Sequence, residues 1–230
     1  MLGALVQVLD VSLIFNMGTP NETVALNKVN LEVRPGEVVI LQGGNGSGKS
    51  SLLKVIAGIY RANRGKILID EKDVTNRRDY LRARYISYVH QDPLLGTAPN
   101  LTLFENLSLT SPNPWWLPLP YSLSIGKRRE EALNSTGLSL DQRLPVKLMN
   151  FSGGQRQAIA IGMAFSRHTR LVLLDEFTAS LDYKTSKRVA EQTLKRAAET
   201  KATIMIIMHD KNLANQLGCK TYQMDKGEIV

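Results

Sequence analysis

The segment Gly43–Ser50 reads GGNGSGKS and fits the pattern G-x-x-x-x-G-K-[ST]. Glycines allow a backbone to curl until several N–H groups point inward, and a lysine and a hydroxyl can complete such a cradle. This arrangement suits nucleotide phosphates, with Lys49 at the β- and γ-phosphates and the Ser50 hydroxyl as a ligand of Mg²⁺. The residues predicted to contact the nucleotide here are Gly43, Gly44, Asn45, Gly46, Ser47, Gly48, Lys49, Ser50 and Ser51.

The elements on either side of this loop decide whether the match is meaningful. An apolar strand pattern covers Val38–Leu41, and a helical pattern over Ser51–Ile59 places apolar residues at 52, 53, 55, 56 and 59. A strand before the loop and a helix after it form the context that the motif requires. The helix N-terminus also adds about half a positive charge beside the phosphates. A glycine-rich turn that matches by chance is the alternative, and this context argues against it.

A second set of chemically active residues follows the apolar run Leu171–Leu174, which ends in Asp175 and Glu176. A buried strand would deliver both carboxylates to the carboxyl edge of a sheet, where ligands bind in open α/β folds. We expect Asp175 to hold Mg²⁺ through water, and Glu176 to polarise the attacking water. A solvated strand end is the alternative, and the phosphate loop favours the catalytic interpretation.

The segment Phe151–Gln155 reads FSGGQ and precedes a helical pattern over Gln155–Phe165. Small residues at the start of a helix leave N–H groups free, so this is a second predicted anion site. One chain rarely needs two such sites for one nucleotide. Two chains arranged head to tail do, because each segment can then close over the γ-phosphate bound by the other chain.

With these motifs in place, the sequence resembles the ATP-binding subunits of ABC transporters over essentially the whole chain. The motifs occur in the order typical of that family. After the phosphate loop come the Q-loop glutamine Gln91, the signature Ser152, Gly153, Gly154 and Gln155, the Walker B segment Leu171–Glu176, the D-loop Ser180–Asp182 and the switch histidine His209.

The resemblance implies roles for residues that carry little information alone. Gln91 would contact Mg²⁺ or the attacking water and couple the site to the membrane partner. Asp182 would organise a dimer contact, and His209 would contact the γ-phosphate. Phe15 would stack on adenine, although simple core packing is a competing interpretation of this residue.

Three residues depart from the family pattern, and none of them removes a chemical group. Phe151 stands where leucine is usual, and Phe177 and Tyr183 stand where proline is common. We therefore expect a site that hydrolyses ATP.

The predicted fold is α/β: a P-loop NTPase (RecA-like) core with an N-terminal antiparallel β subdomain and an inserted α-helical subdomain. Further strand patterns cover Tyr85–Val89, Thr203–Met208 and Gly65–Asp70, and Leu5–Phe15 and Ala25–Val33 suit antiparallel pairing. We expect a single domain over 1–230. In it, 1–91 and 162–230 form the core with the β subdomain, and 92–161 forms the helical subdomain with the signature.

The composition limits the classes of protein to which the chain can belong, but it does not identify the function. With 230 residues and 43% hydrophobic residues the chain can bury a sizeable core, and the single cysteine, Cys219, excludes an internal disulfide. A net charge of +8 fits nucleic acid, an anionic membrane surface or scattered solvated side chains, with Lys127–Arg129 the only tight basic cluster. No apolar run reaches the roughly 18 residues of a membrane span, and the N-terminus is a poor signal peptide.

The resemblance implies an ATPase that uses ATP and Mg²⁺, forms a homodimer or pairs with a related ATPase subunit, and binds integral membrane permease subunits. Its expected location is peripheral, on the cytoplasmic side of the cell membrane. The run Gln91–Leu107 resembles bacterial uptake systems served by a periplasmic or surface substrate-binding protein, some linked to amino acids. A soluble ABC-type ATPase of DNA repair or translation and a non-hydrolysing nucleotide sensor are the alternatives. No nucleic acid partner is expected.

Overall fold

The computed structural model describes residues 3–110, 140–166, 169–178 and 181–230. Several sequence predictions lie outside these residues. They concern three segments. The proline-rich stretch Ser111–Pro120 includes Trp115–Trp116, whose aromatic side chains predict either contact with a membrane partner or packing onto the helical lobe. The others are Lys127–Ser135, whose sequence predicts a polar helix, and Ser180 of the D-loop.

The described residues alternate between strands and helices along most of the chain. The strands are β1 (Val6–Phe15), β2 (Thr23–Val33), β3 (Val38–Gln42), β4 (Arg64–Ile69), β5 (Lys72–Asp73), β6 (Ile86–Val89), β7 (Leu171–Leu174), β8 (Thr203–Ile207), β9 (Lys220–Asp225) and β10 (Glu228–Ile229). The helices are α1 (Lys49–Ala57), α2 (Asp79–Arg82), α3 (Leu103–Leu109), α4 (Gly153–Ser166), α5 (Tyr183–Thr200) and α6 (Lys211–Leu217), and Asp141–Arg143 and Leu148–Asn150 form single 3₁₀ turns.

The larger sheet has six strands in the order β10-β9-β3-β8-β7-β6. Its neighbours are parallel except for the β9–β10 pair. All residues of β7 and β8 are buried, as expected for parallel strands covered by helices on both faces. The predicted α/β core is therefore confirmed, and the strand β3 that precedes the phosphate loop lies inside the sheet.

The smaller sheet is antiparallel, in the order β2-β1-β4-β5. The turn over 16–22 joins β1 to β2. Buried side chains of β1 and β2 belong to the same apolar core as α1, in which Leu52, Leu53 and Ile56 are fully buried. This packing fixes the helix that follows the phosphate loop.

Helices and turns dominate the described parts of 92–161. Within 92–110 and 140–161 the only β pairing is an isolated bridge between Thr102 and Lys147. Apolar side chains of α3 and α4 form a separate small core with Leu148 and Phe151. The predicted boundary between 161 and 162 falls inside α4, which runs continuously from Gly153 to Ser166.

Two helices begin earlier in the chain than the sequence patterns indicated. Helix α1 begins at Lys49 rather than Ser51, and α4 begins at Gly153 rather than Gln155. Helix α1 ends at Ala57 because Gly58 adopts a left-handed conformation with φ 85°. The first turns of these helices consist of polar residues and glycines, which give no apolar periodicity. Helix starts predicted from apolar periodicity are therefore too late in the chain.

The guanidinium of Arg82 closes the carboxyl end of α1 from inside the protein. It is 1% exposed and donates hydrogen bonds to the carbonyl oxygens of Val55 (2.9 Å), Ile56 (2.8 Å), Thr75 (3.0 Å) and Arg77 (3.1 Å). The bonds to Val55 and Ile56 reach carbonyl oxygens in the last turn of α1, where helix carbonyls lack intrahelical donors, although Val55 also accepts from Gly58 N at 3.1 Å. Arg82 thus fixes the far end of the helix whose N-terminus borders the phosphate loop.

Replacing Arg82 with Met is expected to lower the free energy of unfolding by about 2–4 kcal/mol, because buried carbonyl oxygens lose their donors. Urea unfolding followed by circular dichroism would measure this change. The matched control is Arg84→Met, since Arg84 is exposed two residues away. Equal stabilities for the two variants would contradict the role given to Arg82.

Candidate nucleotide site

The phosphate loop connects β3 to α1 at the carboxyl edge of the parallel sheet. Two of its glycines are held against neighbouring backbone. A Cβ on Gly43 (φ 149°) would lie 2.2 Å from the carbonyl oxygen of Met224, and one on Gly48 (φ 99°) would lie 2.5 Å from that of Ala25. Only glycine fits both the conformation and the space at these positions. The loop shape therefore depends on contacts with β9 and β2.

Lys49 is folded back over the loop and is 4% exposed. Its ammonium donates to the carbonyl oxygens of Gly43 (3.0 Å) and Gly44 (2.8 Å) and to the hydroxyl oxygen of Ser47 (3.3 Å). Burial lowers the pKa of Lys49, while the nearby charges of Glu176 and Asp175 oppose that shift. A buried cation held only by neutral oxygens is suited to an incoming phosphate.

The Asp175 carboxylate follows β7 and is clamped between two hydroxyl groups. Ser50 Oγ donates to Oδ1 at 2.8 Å, and Tyr88 OH donates to Oδ2 at 2.5 Å. Burial, followed by the hydrogen bond to Asp175, raises the pKa of the Tyr88 hydroxyl, so Tyr88 stays protonated and remains a donor. The structure thus brings the two predicted metal ligands, Ser50 and Asp175, into direct contact.

Glu176 and His209 form a second pair at the same edge of the sheet. His209 Nε2 and Glu176 Oε1 lie 2.7 Å apart, and the histidine side chain is 41% exposed against 18% for the glutamate. Glu176 has a φ of 47°, a left-handed conformation that costs a non-glycine residue about 1–3 kcal/mol. Glu176 contacts His209, whereas Asp175 contacts Ser50 and Tyr88, so the two neighbouring carboxylates have different partners.

Gln91 is exposed and borders a cleft of about 540 Å³. Asp175 and Gly153 line the same cleft, together with Lys54, His90 and Arg156. The ring of His90 packs edge-on against Tyr88, with centroids 4.7 Å apart, and burial lowers the pKa of His90. Gln91 is therefore on the side of the site that carries the predicted metal ligand Asp175.

Ser152 and Gln155 form a reciprocal cap at the start of α4. Gln155 N donates to Ser152 Oγ at 3.3 Å, and Ser152 N donates to Gln155 Oε1 at 3.1 Å. Arg143 also donates to Gln155 Oε1 at 3.1 Å and lies over the Phe151 ring at 4.0 Å. The Gln155 side chain thus fixes the shape of the signature segment from within its own chain.

The signature segment borders a groove of about 390 Å³ that Asp182, Thr185 and Arg188 also line. Asp182 caps α5, and its Oδ1 accepts from Thr185 N at 3.0 Å. The hydrogen bonds from Thr185 lower the pKa of Asp182, which keeps this exposed carboxylate ionised. The predicted signature and D-loop residues therefore share one surface.

Phe15 ends β1 and is half-buried. Its ring meets Tyr60 edge-on, with centroids 5.3 Å apart, and packs against the large core. Both interpretations of Phe15, adenine stacking and core packing, are compatible with this position.

Sequence reasoning missed Tyr88, His90 and Arg143. Tyr88 contacts Asp175 and Arg143 contacts Gln155, whereas His90 packs against Tyr88 and lines the cleft that Gln91 borders. The sequence does contain a feature that could have pointed to Tyr88. It is a hydroxyl-bearing residue within a strand of mostly apolar residues, and that strand ends just before Gln91. Arg143 gave no such signal, because its contact with Gln155 depends on the folded loop.

This fold and site define a P-loop nucleoside triphosphatase, and comparison with known proteins identifies the family. Residues 26–179 match the sequence model of the ABC transporter family. A tyrosine transport ATP-binding protein of Clostridioides difficile is 37% identical over 93% of this chain and 84% of its own length. A sulfate/thiosulfate import ATP-binding protein of Nitrosomonas europaea is 35% identical over 89% of this chain, which spans 55% of that relative.

Solved structures agree with this assignment. A dimeric ATP-binding cassette in a post-hydrolysis state, bound to ADP and Pi, superposes with a TM-score of 0.84 at 28% identity, covering 97% of this chain and 96% of the other. The cbiO1 protein of Clostridium perfringens, part of an ABC transporter complex, gives 0.84 at 27% identity, covering 99% and 87%. The chain belongs to the ABC transporter family as an ATP-binding subunit, and it binds and hydrolyses ATP.

No helix among residues 3–110, 140–166, 169–178 and 181–230 is long and apolar enough to cross a bilayer.

Proposed function

We propose that this subunit hydrolyses Mg-ATP at two composite sites between two copies of the chain, and so powers import of a small solute through a separate membrane permease. The groove beside the signature carries this proposal. Among the described residues that line it, none belongs to the phosphate loop 43–51. A capped helix N-terminus with two adjacent glycines, beside a groove that its own phosphate loop does not line, is suited to a nucleotide held by another chain.

The residues present fit Mg²⁺. The Ser50 hydroxyl and the Asp175 carboxylate converge to 2.8 Å, and hard oxygen ligands of this kind are those that Mg²⁺ prefers. We assign Ser50, Asp175 and Gln91 as the residues that hold it, directly or through water. When bound, the ion neutralises charge on the phosphates and orients them.

The chain's own residues would bind the phosphates, accept the proton from the attacking water and form the contact between the two copies. Lys49 contacts the β- and γ-phosphates, and the backbone N–H groups of the loop hold their oxygens. Glu176 accepts a proton from the attacking water, and His209 holds the Glu176 carboxylate in position and reaches the γ-phosphate. Ser152, Gly153 and Gly154 of a second copy bind the γ-phosphate, Gln155 shapes that segment, and Asp182 lies at the contact between the chains.

ATP would favour the closed dimer because it contacts both chains, and hydrolysis would remove the γ-phosphate that bridges them. Such a change is a population shift driven by differential contacts in the two states. The dimeric, ADP- and Pi-bound relative supports an assembly of this kind.

Import rather than export is supported by the relatives' names, which include sulfate/thiosulfate import and xylose/arabinose import ATP-binding proteins. The tyrosine transport relative supports an amino acid as one class of cargo. The partners would then be permease subunits and a substrate-binding protein, with the ATPase peripheral on the cytoplasmic side of the membrane.

Within the chain, we assign 1–91 and 162–230 to the core and 92–161 to the helical subdomain.

The alternative function is that of a soluble ATPase acting on nucleic acid. Such a protein would instead show salt-sensitive DNA or ribosome binding and no copurifying membrane protein.

Mixing two inactive variants tests the composite site. Lys49→Ala disables the phosphate loop, and Ser152→Arg blocks the signature with a bulky side chain. Each variant alone should lack ATPase activity. An equal mixture should regain activity, because one of the two sites in a mixed dimer then combines an intact loop with an intact signature.

The matched control is a mixture of two preparations of Lys49→Ala, which should stay inactive. If the mixed variants also stay inactive while size-exclusion chromatography shows that they dimerise with ATP, the site lies within one chain and the composite arrangement is wrong.

A further inference from the structure

The Asp175 carboxylate, a proposed metal ligand, is held by a tyrosine from the neighbouring strand. Strands β6 and β7 are parallel, with Tyr88 opposite Leu173 and Val89 opposite Leu174. The ladder extends one residue further, because Asp175 N donates to the Val89 carbonyl oxygen at 3.0 Å. Side chains two residues apart on a strand share a face, so Tyr88, Leu173 and Asp175 project to the same side of the sheet.

This geometry lets the Tyr88 ring extend along the sheet until its hydroxyl reaches Oδ2 of Asp175. The other carboxylate oxygen, Oδ1, accepts from Ser50. Each oxygen therefore has its own donor, one from strand β6 and one from the first turn of α1. A carboxylate held at both oxygens cannot rotate without breaking one of these bonds.

Tyr88 is itself fixed in place. Its ring packs against the large core on one side and meets His90 edge-on, with an interplanar angle of 64°. Asp175 is only 6% exposed, so water is poorly placed to substitute for the tyrosine hydroxyl. The hydroxyl therefore has a defined position relative to the carboxylate.

We infer that Tyr88 is a positioning residue for the metal site, whose hydroxyl orients the Asp175 carboxylate so that it can serve Mg²⁺ bound with ATP. The inference rests on the proposed role of Asp175 as a metal ligand. Mg²⁺ requires near-ideal octahedral geometry, so its affinity is sensitive to the orientation of a ligand carboxylate. Partners that orient ligands typically change metal affinity by about 10–100-fold when removed.

The test is Tyr88→Phe, which removes the hydroxyl and keeps the ring. Two measurements are made on the full chain: the affinity for a fluorescent ATP analogue (mant-ATP) in EDTA and in Mg²⁺, and the Mg²⁺ dependence of ATP hydrolysis. The Mg²⁺ concentration for half-maximal activity should rise about tenfold. The rate at saturating Mg²⁺ should recover most of its wild-type value, and mant-ATP affinity in EDTA should stay unchanged.

Tyr85→Phe is the matched control. Tyr85 directly precedes β6, and its hydroxyl is buried with no hydrogen-bond partner among the described residues. Removing that hydroxyl takes away no hydrogen bond, so the Mg²⁺ dependence should not move. Both variants retain an aromatic ring, and their thermal unfolding should be compared to confirm that they fold.

Asp175→Asn separates failure of this inference from failure of the proposed metal site. If Asp175→Asn loses the Mg²⁺ dependence of mant-ATP binding but Tyr88→Phe behaves like Tyr85→Phe, the role of Tyr88 is wrong and the metal site stands. If Asp175→Asn retains that dependence, the metal role of Asp175 is wrong and the inference is overturned with it. Equal weakening of mant-ATP binding by Tyr88→Phe in EDTA and in Mg²⁺ would show general damage to the site, which also overturns the inference.

Discussion

Replacing Glu176 with Gln is expected to lower the rate of ATP hydrolysis by about 10²–10⁴-fold, the usual effect of losing a general base. ATP binding should persist, because Glu176 contacts His209 and not the phosphate loop. Glutamine keeps the shape of the side chain but cannot accept a proton from water at neutral pH. Since the γ-phosphate would then remain in place, the variant should accumulate as an ATP-bound dimer.

Phosphate release and size-exclusion chromatography with ATP would measure the two effects. Glu191→Gln removes an exposed carboxylate from α5 and serves as the control, with a normal rate and no stable dimer expected. A Glu176→Gln variant that hydrolyses ATP at the wild-type rate would show that another group accepts the proton.

Replacing Lys49 with Met is expected to weaken ATP binding by about 10–100-fold, since charge-assisted hydrogen bonds to phosphate contribute roughly 1.5–3 kcal/mol each. Methionine fills a similar volume without a charge. The carbonyl oxygens of Gly43 and Gly44 would lose their donor, so the empty loop should also become less ordered. Hydrolysis should fall in parallel, because the same ammonium would contact the γ-phosphate.

Equilibrium binding of a fluorescent ATP analogue would measure the loss. Lys66→Met is a suitable control because Lys66 is exposed on β4 and belongs to no predicted motif. Unchanged affinity in Lys49→Met would mean that the ammonium remains on the loop carbonyls when nucleotide binds.

The arrangement of strands and the main site residues could be predicted from the sequence because both depend on local patterns. Runs such as Leu171–Leu174 are apolar throughout, which is typical of parallel strands. The acids Asp175 and Glu176 follow such a strand directly, so their place at the sheet edge follows from the strand itself.

What escaped prediction depends on side-chain directions in the folded protein. Nothing in the order Asp175, Glu176 says that the first would contact Ser50 and the second His209. The backbone of Glu176 is also left-handed, an unusual conformation for a non-glycine residue that the sequence does not indicate. The hydroxyl of Tyr88 and the buried guanidinium of Arg82 likewise acquire their roles through neighbours distant in sequence.

The glycines of the phosphate loop differ in what constrains them, and this has a consequence for reading related genes. Gly43 and Gly48 are confined by the backbone of β9 and β2, and Gly46 by its φ of 76°, whereas a Cβ on Gly44 would meet nothing within 4 Å. A duplicated copy of the protein that no longer binds nucleotide would still need Gly43 and Gly48 to keep the shape of the loop. Retention of Gly43 and Gly48 is therefore a mark of ancestry, while retention of Lys49 is a mark of continued use.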